Sequence, residues 1–370
     1  MNTEFKKLGF GLMRLPVLPN GEIDIEQVEK MADKFLESGF NYFDTAFGYM
    51  DGKSEGVFKQ TVVDRYPRDT FVVADKMPMW EVKSEEDLDR IFNTQLDRTG
   101  AGHFDFYLLH SLYEDTFKNA EKFGAWEFLK QKKAQGKIKH LGFSFHDSAK
   151  CLETILQRYY DCDFVQLQIN YADWDSETIQ SRLCLETARK HNKPIIVMEP
   201  VKGGSLSTLP QNARKLLINA EPEWPVASWA IRFAAAQDGV VMVLSGMSDL
   251  IQLEDNINIA KDFKPLNKEQ MNVINQVVKI LNSIPTVQCT GCRYCVSNCP
   301  SKIPIPDIIN LLNIYNTYCN LSGPKKSYGW VVENAGKSSD CIACRKCEEL
   351  CPQHLKIVDA MSNAAKLFED

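Results

Sequence analysis

The chain has 370 residues, with 49 Asp and Glu against 43 Lys and Arg and a formal net charge of -6 at pH 7. A nucleic-acid-binding protein needs a basic face, so this acidic balance argues against that class and favours a small-molecule substrate. The sequence has no uncharged apolar run of about 18 residues and no apolar signal core behind Lys6 and Lys7, so we expect a cytoplasmic protein without membrane association.

Short apolar strands alternate with amphipathic helices from residue 7 to about residue 261. This alternation predicts a parallel sheet with crossover helices, and eight such units predict an α/β fold, the (β/α)8 TIM barrel, which takes about 250 residues. The predicted strands are Lys7 to Met13, Asn41 to Thr45, Phe71 to Lys76, Asp105 to His110, His140 to Ser144, Phe164 to Ile169, Pro194 to Glu199 and Val240 to Ser245.

Capping residues mark the ends of the predicted helices. Asp24 is the expected N-cap of a helix that runs to Ser38, and Gly39 is its stop signal. A second helix, from Ser84 to Arg98, opens on the Ser-x-x-Asp pattern of a capping box.

The alternation stops after about residue 262, where a polar helix over Asn267 to Ser283 precedes Pro285. We therefore predict a barrel domain over residues 1–282 and a smaller, mostly helical domain over 283–370. In the second domain, Pro306 to Tyr318 is predicted to be one helix. Ser322 to Ser339 is rich in Gly, Lys and Ser and is expected to be a surface loop.

Four polar side chains follow or end successive predicted strands. Asp44 ends the second strand and Tyr49 lies in the loop behind it, while Lys76 and His110 end the next two strands. The carboxyl ends of barrel strands carry the chemistry in this architecture, so we expect these residues, called the tetrad below, to form one site.

The tetrad has the chemistry of a carbonyl-polarising pocket. A lysine ammonium beside a phenol stabilises the phenolate and is expected to lower the pKa of Tyr49 from about 10. Asp44 would pair with Lys76 and keep it charged, and His110 could orient a substrate carbonyl. Each residue alone has a structural explanation. The combination at consecutive strand ends favours a catalytic site.

Residues 5 to 262 resemble the aldo-keto reductase superfamily. The resemblance rests on the stretch 39–46 with Tyr49, on Lys76, on Leu108-Leu109-His110 and on the stretch 139–144. It implies that Tyr49 is the general acid, that Lys76 and Asp44 tune it, that His110 orients the carbonyl, and that a nicotinamide cofactor supplies hydride.

The resemblance also assigns nicotinamide contacts to Ser144 and Gln166, although Phe145 replaces the usual asparagine. Met198 occupies the position at which the family usually has an aromatic residue under the nicotinamide. A methionine stacks less well on a ring. Gln166, Gln168 and Asn170 share one face of their strand, which fits either a cofactor site or a hydrogen-bonded core ladder.

The family's adenosine-phosphate loop corresponds to the segment after the last strand. Gly246 and Gln252 stand at the positions where this loop usually has a lysine and an arginine. Asn256 is a further candidate contact. Without a cationic fork, NADPH loses its best discriminating contact, so we predict NAD(H) over NADP(H), or weak nucleotide binding altogether.

Eight of the 12 cysteines lie in two C-terminal runs of the form Cys-x2-Cys-x2-Cys-x3-Cys-Pro. This spacing favours two [4Fe-4S] clusters over a zinc site, which typically takes two separated Cys-x2-Cys pairs, and over disulfides. The runs comprise Cys289, Cys292, Cys295 and Cys299, and then Cys341, Cys344, Cys347 and Cys351.

The two runs resemble a bacterial-type dicluster ferredoxin module. The resemblance implies that Cys289, Cys292, Cys295 and Cys351 hold one cluster and that Cys341, Cys344, Cys347 and Cys299 hold the other. The remaining cysteines are expected to be ordinary core or surface thiols in a reducing compartment. They are Cys151, Cys162, Cys184 and Cys319.

The sequence favours an oxidoreductase that reduces a carbonyl or oxidises an alcohol. Hydride carries two electrons and each cluster carries one, so the prediction leaves three explanations open: a flavin, for which no motif is present; a redox partner protein; or purely structural clusters. The alternative is an accessory electron-transfer or docking protein with a non-catalytic barrel. Apolar side chains such as Phe47, Tyr113 and Trp174 fit either an apolar substrate pocket or a packed barrel rim.

Overall fold

The computed structural model describes residues 6–289 and 291–369. Eight parallel strands form a closed barrel in chain order, and β1 pairs with β8 to complete it. The eight predicted strands and the predicted (β/α)8 fold class are confirmed. The strands are β1 (Leu8–Gly11), β2 (Tyr42–Asp44), β3 (Val72–Pro78), β4 (Phe104–Leu112), β5 (Ile138–Phe145), β6 (Phe164–Gln168), β7 (Ile195–Met198) and β8 (Val240–Gly246).

Helices follow the strands and continue into the C-terminal region. They are α1 (Ile25–Glu37), α2 (Ser54–Phe58), α3 (Glu85–Thr99), α4 (Glu114–Lys122), α5 (Ala125–Ala134), α6 (Ala149–Arg158), α7 (Ser181–Lys190), α8 (Gln211–Ala220), α9 (Val226–Ala235), α10 (Leu250–Lys261), α11 (Lys268–Ser283), α12 (Ile305–Tyr318), α13 (Ser322–Val332), α14 (Lys346–Glu349) and α15 (Ile357–Phe368).

The predicted helix caps are present. The Asp24 carboxylate accepts a hydrogen bond from the Gln27 N–H at 3.0 Å, and Gly39 takes the left-handed φ of 79° that ends the segment. The Ser84–Asp87 capping box opens α3, and Asn267 caps α11. These local signals fix where each helix begins, which sets the length of the loops at the barrel mouth.

The barrel interior is closed by apolar side chains from neighbouring strands, and Tyr42, Phe106 and Phe164 pack in one buried cluster. The cluster requires a glycine at position 142, because a Cβ there would lie 2.5 Å from the Phe164 carbonyl oxygen. The filled interior places any ligand at the mouth of the barrel rather than inside it.

The described residues divide into two compact units. One contains the residues up to Pro200 together with Ser228–Leu266, and the other contains Val201–Ala227 together with the residues from Asn267 onward. Helix α11 belongs to the second unit, where it packs against α8, and the Gln270 amide donates to the Glu221 carboxylate at 2.7 Å. The domain boundary at residue 282 stays a prediction.

The expectation of a surface loop over Ser322 to Ser339 is wrong. The segment forms α13 and a short 3-10 turn at Ser338–Asp340. Glycine in a helix interior costs about 1 kcal/mol, but Tyr328 and Val332 are buried in the core of this unit. The Tyr328 hydroxyl donates to the Glu369 carboxylate and accepts from the Ser338 N–H. Tertiary packing therefore overrides the local composition. The predicted helix over Pro306 to Tyr318 is confirmed as α12.

Within the described part of the chain, no helix has the length and apolar character needed to cross a membrane.

Candidate active site and cysteine cavities

The loop behind β2 presents Tyr49 through a strained turn. Met50, Asp51 and Gly52 have successive left-handed φ values of 53°, 56° and 78°. The loop is closed at its base, where the Thr45 and Ser54 hydroxyls lie 2.8 Å apart and the Ser54 hydroxyl donates to the Leu12 carbonyl. Strain of this kind is typical of positions held for function.

Lys76 and Asp44 form a buried ion pair at the ends of β3 and β2. The Lys76 ammonium donates at 2.6 Å to Asp44 Oδ1 and at 2.6 Å to the Thr45 carbonyl, and the two side chains are 0% and 3% exposed. Asp44 of β2 is in register with Ala74 of β3, and Lys76 lies two residues further along on the same face of the strand. A buried pair is stable only when both charges have partners.

The structure brings Tyr49 and His110 to the same pair. The Lys76 Nζ lies 4.7 Å from the centre of the Tyr49 ring. The rings of Tyr49 and His110 meet edge to face at 5.9 Å. The four tetrad residues therefore lie together at the barrel mouth.

The pKa of Tyr49 differs from the expectation. Burial raises it above its ordinary value and outweighs the opposing effect of Lys76, while Asp44 and Glu199 raise it further. The predicted net lowering by lysine is therefore wrong, because desolvation of the phenolate exceeds its attraction to the ammonium. Tyr49 is a neutral phenol at neutral pH. For Lys76, burial lowers the pKa but Asp44 and Tyr49 more than compensate, so the net shift is upward and the ammonium is kept.

His110 is neutral in this environment. Burial, together with the positive charge of Lys76 and the neighbouring His146, holds the pKa of His110 well below its usual range. Its buried Nδ1 has no hydrogen-bond partner among the described residues, and Trp80 lies against the ring at 4.9 Å. A neutral imidazole with a free nitrogen can hydrogen-bond a ligand at the mouth.

The eight C-terminal cysteines line two cavities in the second unit. One cavity is lined by Cys289, Cys292, Cys295 and Cys351, and the other by Cys341, Cys344, Cys347 and Cys299. Each cavity thus takes three cysteines from one run and the fourth from the other. Both cavities also contact Ile305 of α12.

The backbone repeats between the two runs. Residues with a left-handed backbone conformation occupy matching positions in and after each run. This conformation is uncommon for residues other than glycine. The matching pairs are Gly291 and Ala343, Arg293 and Arg345, and Lys302 and His354. Alternating right- and left-handed residues turn successive N–H groups toward one point and form anion-binding concavities, a feature of many iron-sulfur sites.

Each cysteine cavity has the four thiol ligands that one [4Fe-4S] cluster takes. Among residues 6–289 and 291–369, no three or more His, Cys, Asp or Glu side chains are arranged to hold one metal ion. A [4Fe-4S] cluster is larger than an ion and takes four cysteines around a cavity. The cysteine sets and the repeated backbone therefore suit two such clusters.

The other four cysteines are free thiols. Burial raises the pKa of Cys151, Cys162 and Cys184 to about 12, so these thiols are inert near neutral pH.

Comparison with known proteins identifies both parts of the chain. Residues 7–279 match the aldo/keto reductase family, and residues 288–355 match the 4Fe-4S dicluster domain. The chain belongs to the aldo/keto reductase family. It is an oxidoreductase of that family with a C-terminal 4Fe-4S dicluster domain.

Relatives of this aldo/keto reductase cover the barrel region. It is 23% identical over 310 residues to the uncharacterized oxidoreductase YqkF of Bacillus subtilis, covering 75% of this chain and 94% of that protein. The holo form of aldo-keto reductase AKR11C1 from Bacillus halodurans superposes with a TM-score of 0.57 at 22% identity, over 73% of this chain and 91% of that one.

An aldo/keto reductase from Klebsiella pneumoniae, solved with NADP and acetate, has a TM-score of 0.58 at 19% identity, over 74% of this chain and 92% of that one. At this level of identity the solved structures support the fold alone. The nucleotide contacts of this chain are therefore inferred from its own structure.

The predicted nicotinamide residues of this aldo/keto reductase lie at neighbouring strand ends. Ser144 of β5 pairs in register with Gln166 of β6, and the Ser144 hydroxyl accepts from the Ser111 N–H at 2.7 Å. The buried Gln166 Oε1 has no hydrogen-bond partner in the described structure. An unpaired buried amide oxygen is costly, so a ligand with an N–H donor, such as a carboxamide, suits this position.

Gln168 and Asn170 differ from Gln166. Their amides donate to the Asp173 carboxylate at 3.0 and 2.8 Å, which is the core-ladder alternative. Met198 ends β7, and the following Glu199 has a left-handed φ of 54°. Gln166 is therefore the member of the polar face whose buried amide oxygen has no partner among the described residues.

The predicted adenosine-phosphate residues are mostly engaged within the protein. The Gln252 amide accepts from the Ser248 N–H at 3.0 Å and donates to Asp249 at 2.8 Å, at the start of α10. The Asn256 amide donates to the Ser245 hydroxyl at 2.8 Å. Gly246 is exposed at the end of β8.

Arg14 is a further residue near the predicted adenosine-phosphate loop, and it was not among the predicted site residues. Its side chain packs beside Gly246, where an added Cβ would lie 3.3 Å from it, and its guanidinium lies 3.5 Å from the Glu199 carboxylate. The signal was available, because closure of an eight-stranded barrel places the residues after β1 beside those after β8.

A second buried polar cluster behind the tetrad was also missed. The Gln95 amide donates to Glu55, to Asp75 and to the Lys76 carbonyl, at 3.0, 2.6 and 3.1 Å. The Tyr107 hydroxyl donates to Gln95. Burial, and then the neighbouring Glu55, raises the pKa of Asp75 well above its ordinary value. Strand alternation gives the signal, since the residue before Lys76 must face the helices.

Proposed function

We propose that this aldo/keto reductase reduces the carbonyl group of a small molecule, or runs the reverse oxidation of an alcohol, with Tyr49 as the general acid or base. The observation that carries the proposal is the fully buried Lys76 ammonium, bonded to Asp44 and lying against the Tyr49 ring. An ion pair this buried is costly as a purely structural feature, and its position beside a phenol gives it a use.

Each tetrad residue has a distinct role in this proposal. Tyr49 gives its proton to the carbonyl oxygen while a hydride reaches the carbonyl carbon. The Lys76 ammonium stabilises the phenolate that is left, and Asp44 holds the ammonium in place. Neutral His110 donates a hydrogen bond that orients the carbonyl. The raised pKa of Tyr49 keeps the proton available at neutral pH, which favours the reductive direction.

Ser144, Gln166 and Met198 would hold the nicotinamide, with Gly246, Gln252 and Asn256 near the adenosine. A bound NAD(P)H supplies the hydride. We favour NADH over NADPH because neither position 246 nor position 252 carries a cation, and the nearby Arg14 is already paired with Glu199. Tighter binding of NADPH in a fluorescence titration of both cofactors would reject this preference.

The two cysteine sets would hold two [4Fe-4S] clusters, each of which supplies one-electron transfer. A hydride moves two electrons together, so the clusters do not take part in the hydride step directly. A flavin, a redox partner protein or a purely structural role for the clusters are the ways to reconcile the electron count. Thiol-rich cluster sites suit a reducing compartment, so the proposed location is the cytoplasm.

A second candidate function is an accessory electron-transfer or docking protein with a non-catalytic barrel. Met198 in place of an aromatic residue, and Gln252 engaged at the start of α10, favour it. The buried Lys76–Asp44 pair favours the enzyme.

One set of measurements separates the candidates. Protein purified without oxygen should contain about eight iron atoms per chain if both clusters are present. With NADH and an aromatic aldehyde such as 4-nitrobenzaldehyde, Tyr49→Phe should lose about 10²- to 10⁴-fold in kcat and keep its iron and NADH affinity. A parent that reduces the aldehyde no faster than background, with no change in Tyr49→Phe, would favour the accessory role. A parental rate that is unchanged in Cys292→Ser would favour structural clusters.

A further inference from the structure

A short exposed segment covers the second cysteine cavity. Ile342, Ala343, Cys344, Arg345 and Lys346, called the 342–346 face below, are consecutive and all exposed. Ile342 is 67% exposed, and the Arg345 side chain is 71% exposed. The face thus combines a large apolar side chain, a cysteine of the cavity and two cations.

Charge distinguishes this face from the matching part of the first run. There, Arg293 is held by both oxygens of Asp307 at 3.1 and 3.0 Å, which neutralises it. Arg345 lies 3.8 Å from Glu348, whose carboxylate already accepts the Val358 N–H at 2.9 Å. Within the described residues Lys346 has no ion pair. The charged residues that line the second cavity are both cations.

We propose that the 342–346 face is the docking site of an acidic one-electron carrier protein, which exchanges electrons with the cluster held by the second cysteine set. The inference rests on the proposed function, because it requires that cluster. One electron passes between the carrier's redox centre and the cluster, so that one is oxidised as the other is reduced and no bond or proton is transferred.

The composition of the face fits this partner. A docking patch combines apolar and polar side chains, and the face has that composition, with an exposed Ile342 and two cations at the same cavity. Exposed surface cations steer an acidic protein toward the patch and raise its association rate at low ionic strength. A protein partner fits better than a small ligand because the face is exposed along its length, and Cys344 brings the cluster to the surface.

The test is the rate at which a reduced acidic flavodoxin passes electrons to the cluster-loaded full chain. Formation of the blue flavodoxin semiquinone reports the transfer in a stopped-flow experiment. Arg345→Glu combined with Lys346→Glu should slow the second-order rate at least tenfold at low salt, and added salt should shrink the difference. The matched control is Lys325→Glu with Lys326→Glu, two adjacent exposed lysines of α13, which should stay within twofold of the parent.

Two further measurements separate docking from a change in the cluster itself. Photoreduced 5-deazariboflavin is small and neutral, so it should reduce parent and variant clusters at rates within twofold. Arg345→Asn is a second variant that removes charge and tolerates the left-handed φ of 60° at this position. If the glutamate variants lose iron, Arg345→Asn takes their place. It should slow electron transfer from flavodoxin to the cluster severalfold.

The inference is overturned if flavodoxin reduces parent and charge-reversed proteins equally fast, or if the variants lose rate equally with 5-deazariboflavin. In either case the clusters still accept electrons, and the proposed function stands. If neither reductant reduces the parent clusters, the electron-transfer role itself fails, and the docking site fails with it.

Discussion

The tetrad and the cysteine cavities differ in how the chain assembles them. Asp44, Lys76 and His110 come from three strands and Tyr49 from the loop after β2, and they meet because a closed barrel aligns the strand ends. The cysteines of each run lie close together in the sequence. Each cavity is lined by three cysteines of one run and one cysteine of the other. The tetrad should therefore depend on the barrel alone, whereas the cysteine region should depend on what fills its cavities.

The largest expected effect is loss of order in the cysteine region on removal of iron. Cys295 and Cys351 belong to the same buried core as the isoleucines of α12, so empty cavities would leave that core without packing partners. Hydrogen exchange after anaerobic chelation should show loss of protection in α12 and α15 and unchanged protection in β1 to β8. Equal loss in both regions would contradict the comparison.

The next effect comes from breaking the buried pair of the barrel. Lys76→Met should destabilise the protein by about 3–5 kcal/mol, because it leaves the Asp44 charge buried and unpaired. The double variant Lys76→Met with Asp44→Leu should recover most of that stability in chemical denaturation and none of the carbonyl reduction. Iron content should stay at the parental level in both. Recovery of activity in the double variant would remove the ion pair from the mechanism.

Asp75 allows a test of pH dependence. Its pKa is raised in the folded protein, mainly by burial, so the folded state holds a proton that the unfolded state releases above about pH 4. The contribution of this group to stability therefore falls as pH rises from about 4 toward the raised pKa. Asp75→Asn should flatten that decline in denaturation midpoints measured from pH 4 to 8. An unchanged slope would mean that Asp75 is ionised in the fold.

The smallest expected effects are at two glycines, one in each region. Gly142→Ala places a Cβ 2.5 Å from the Phe164 carbonyl oxygen of the next strand and should cost about 1–3 kcal/mol. Gly329→Ala, in α13, meets nothing within 4 Å and should stabilise by about 0.5–1 kcal/mol. Thermal unfolding of both variants checks the pair. Equal tolerance at the two sites would contradict the packing assigned to the barrel.

The sequence predicted the fold well because its signals were local or periodic. Capping residues such as Asp24 and Ser84, alternating strands and the cysteine spacing are all short-range patterns. Helix α13 was missed because Tyr328 and Val332 are buried by residues far away in the chain. Composition alone could not reveal those contacts.

The candidate site was predicted in its members but not in its energetics. Strand topology was enough to group the tetrad. The direction of the pKa shift of Tyr49 depends on how much burial the folded barrel imposes, which no spacing in the sequence encodes. Arg14 and Gln95 were missed for a related reason, since both act through neighbours that only barrel closure or helix packing supplies.

The pH dependence of carbonyl reduction by NADH tests the central claim most directly. If Tyr49 is the proton donor with a pKa raised above its ordinary value of about 10, the acid form is present throughout the neutral range. If Tyr49 alone sets the pH dependence, kcat should be constant up to about pH 10 and fall at higher pH. Tyr49→Phe should abolish this alkaline decrease. A parental kcat that falls in the neutral range, or an alkaline limb that survives in Tyr49→Phe, would contradict the account.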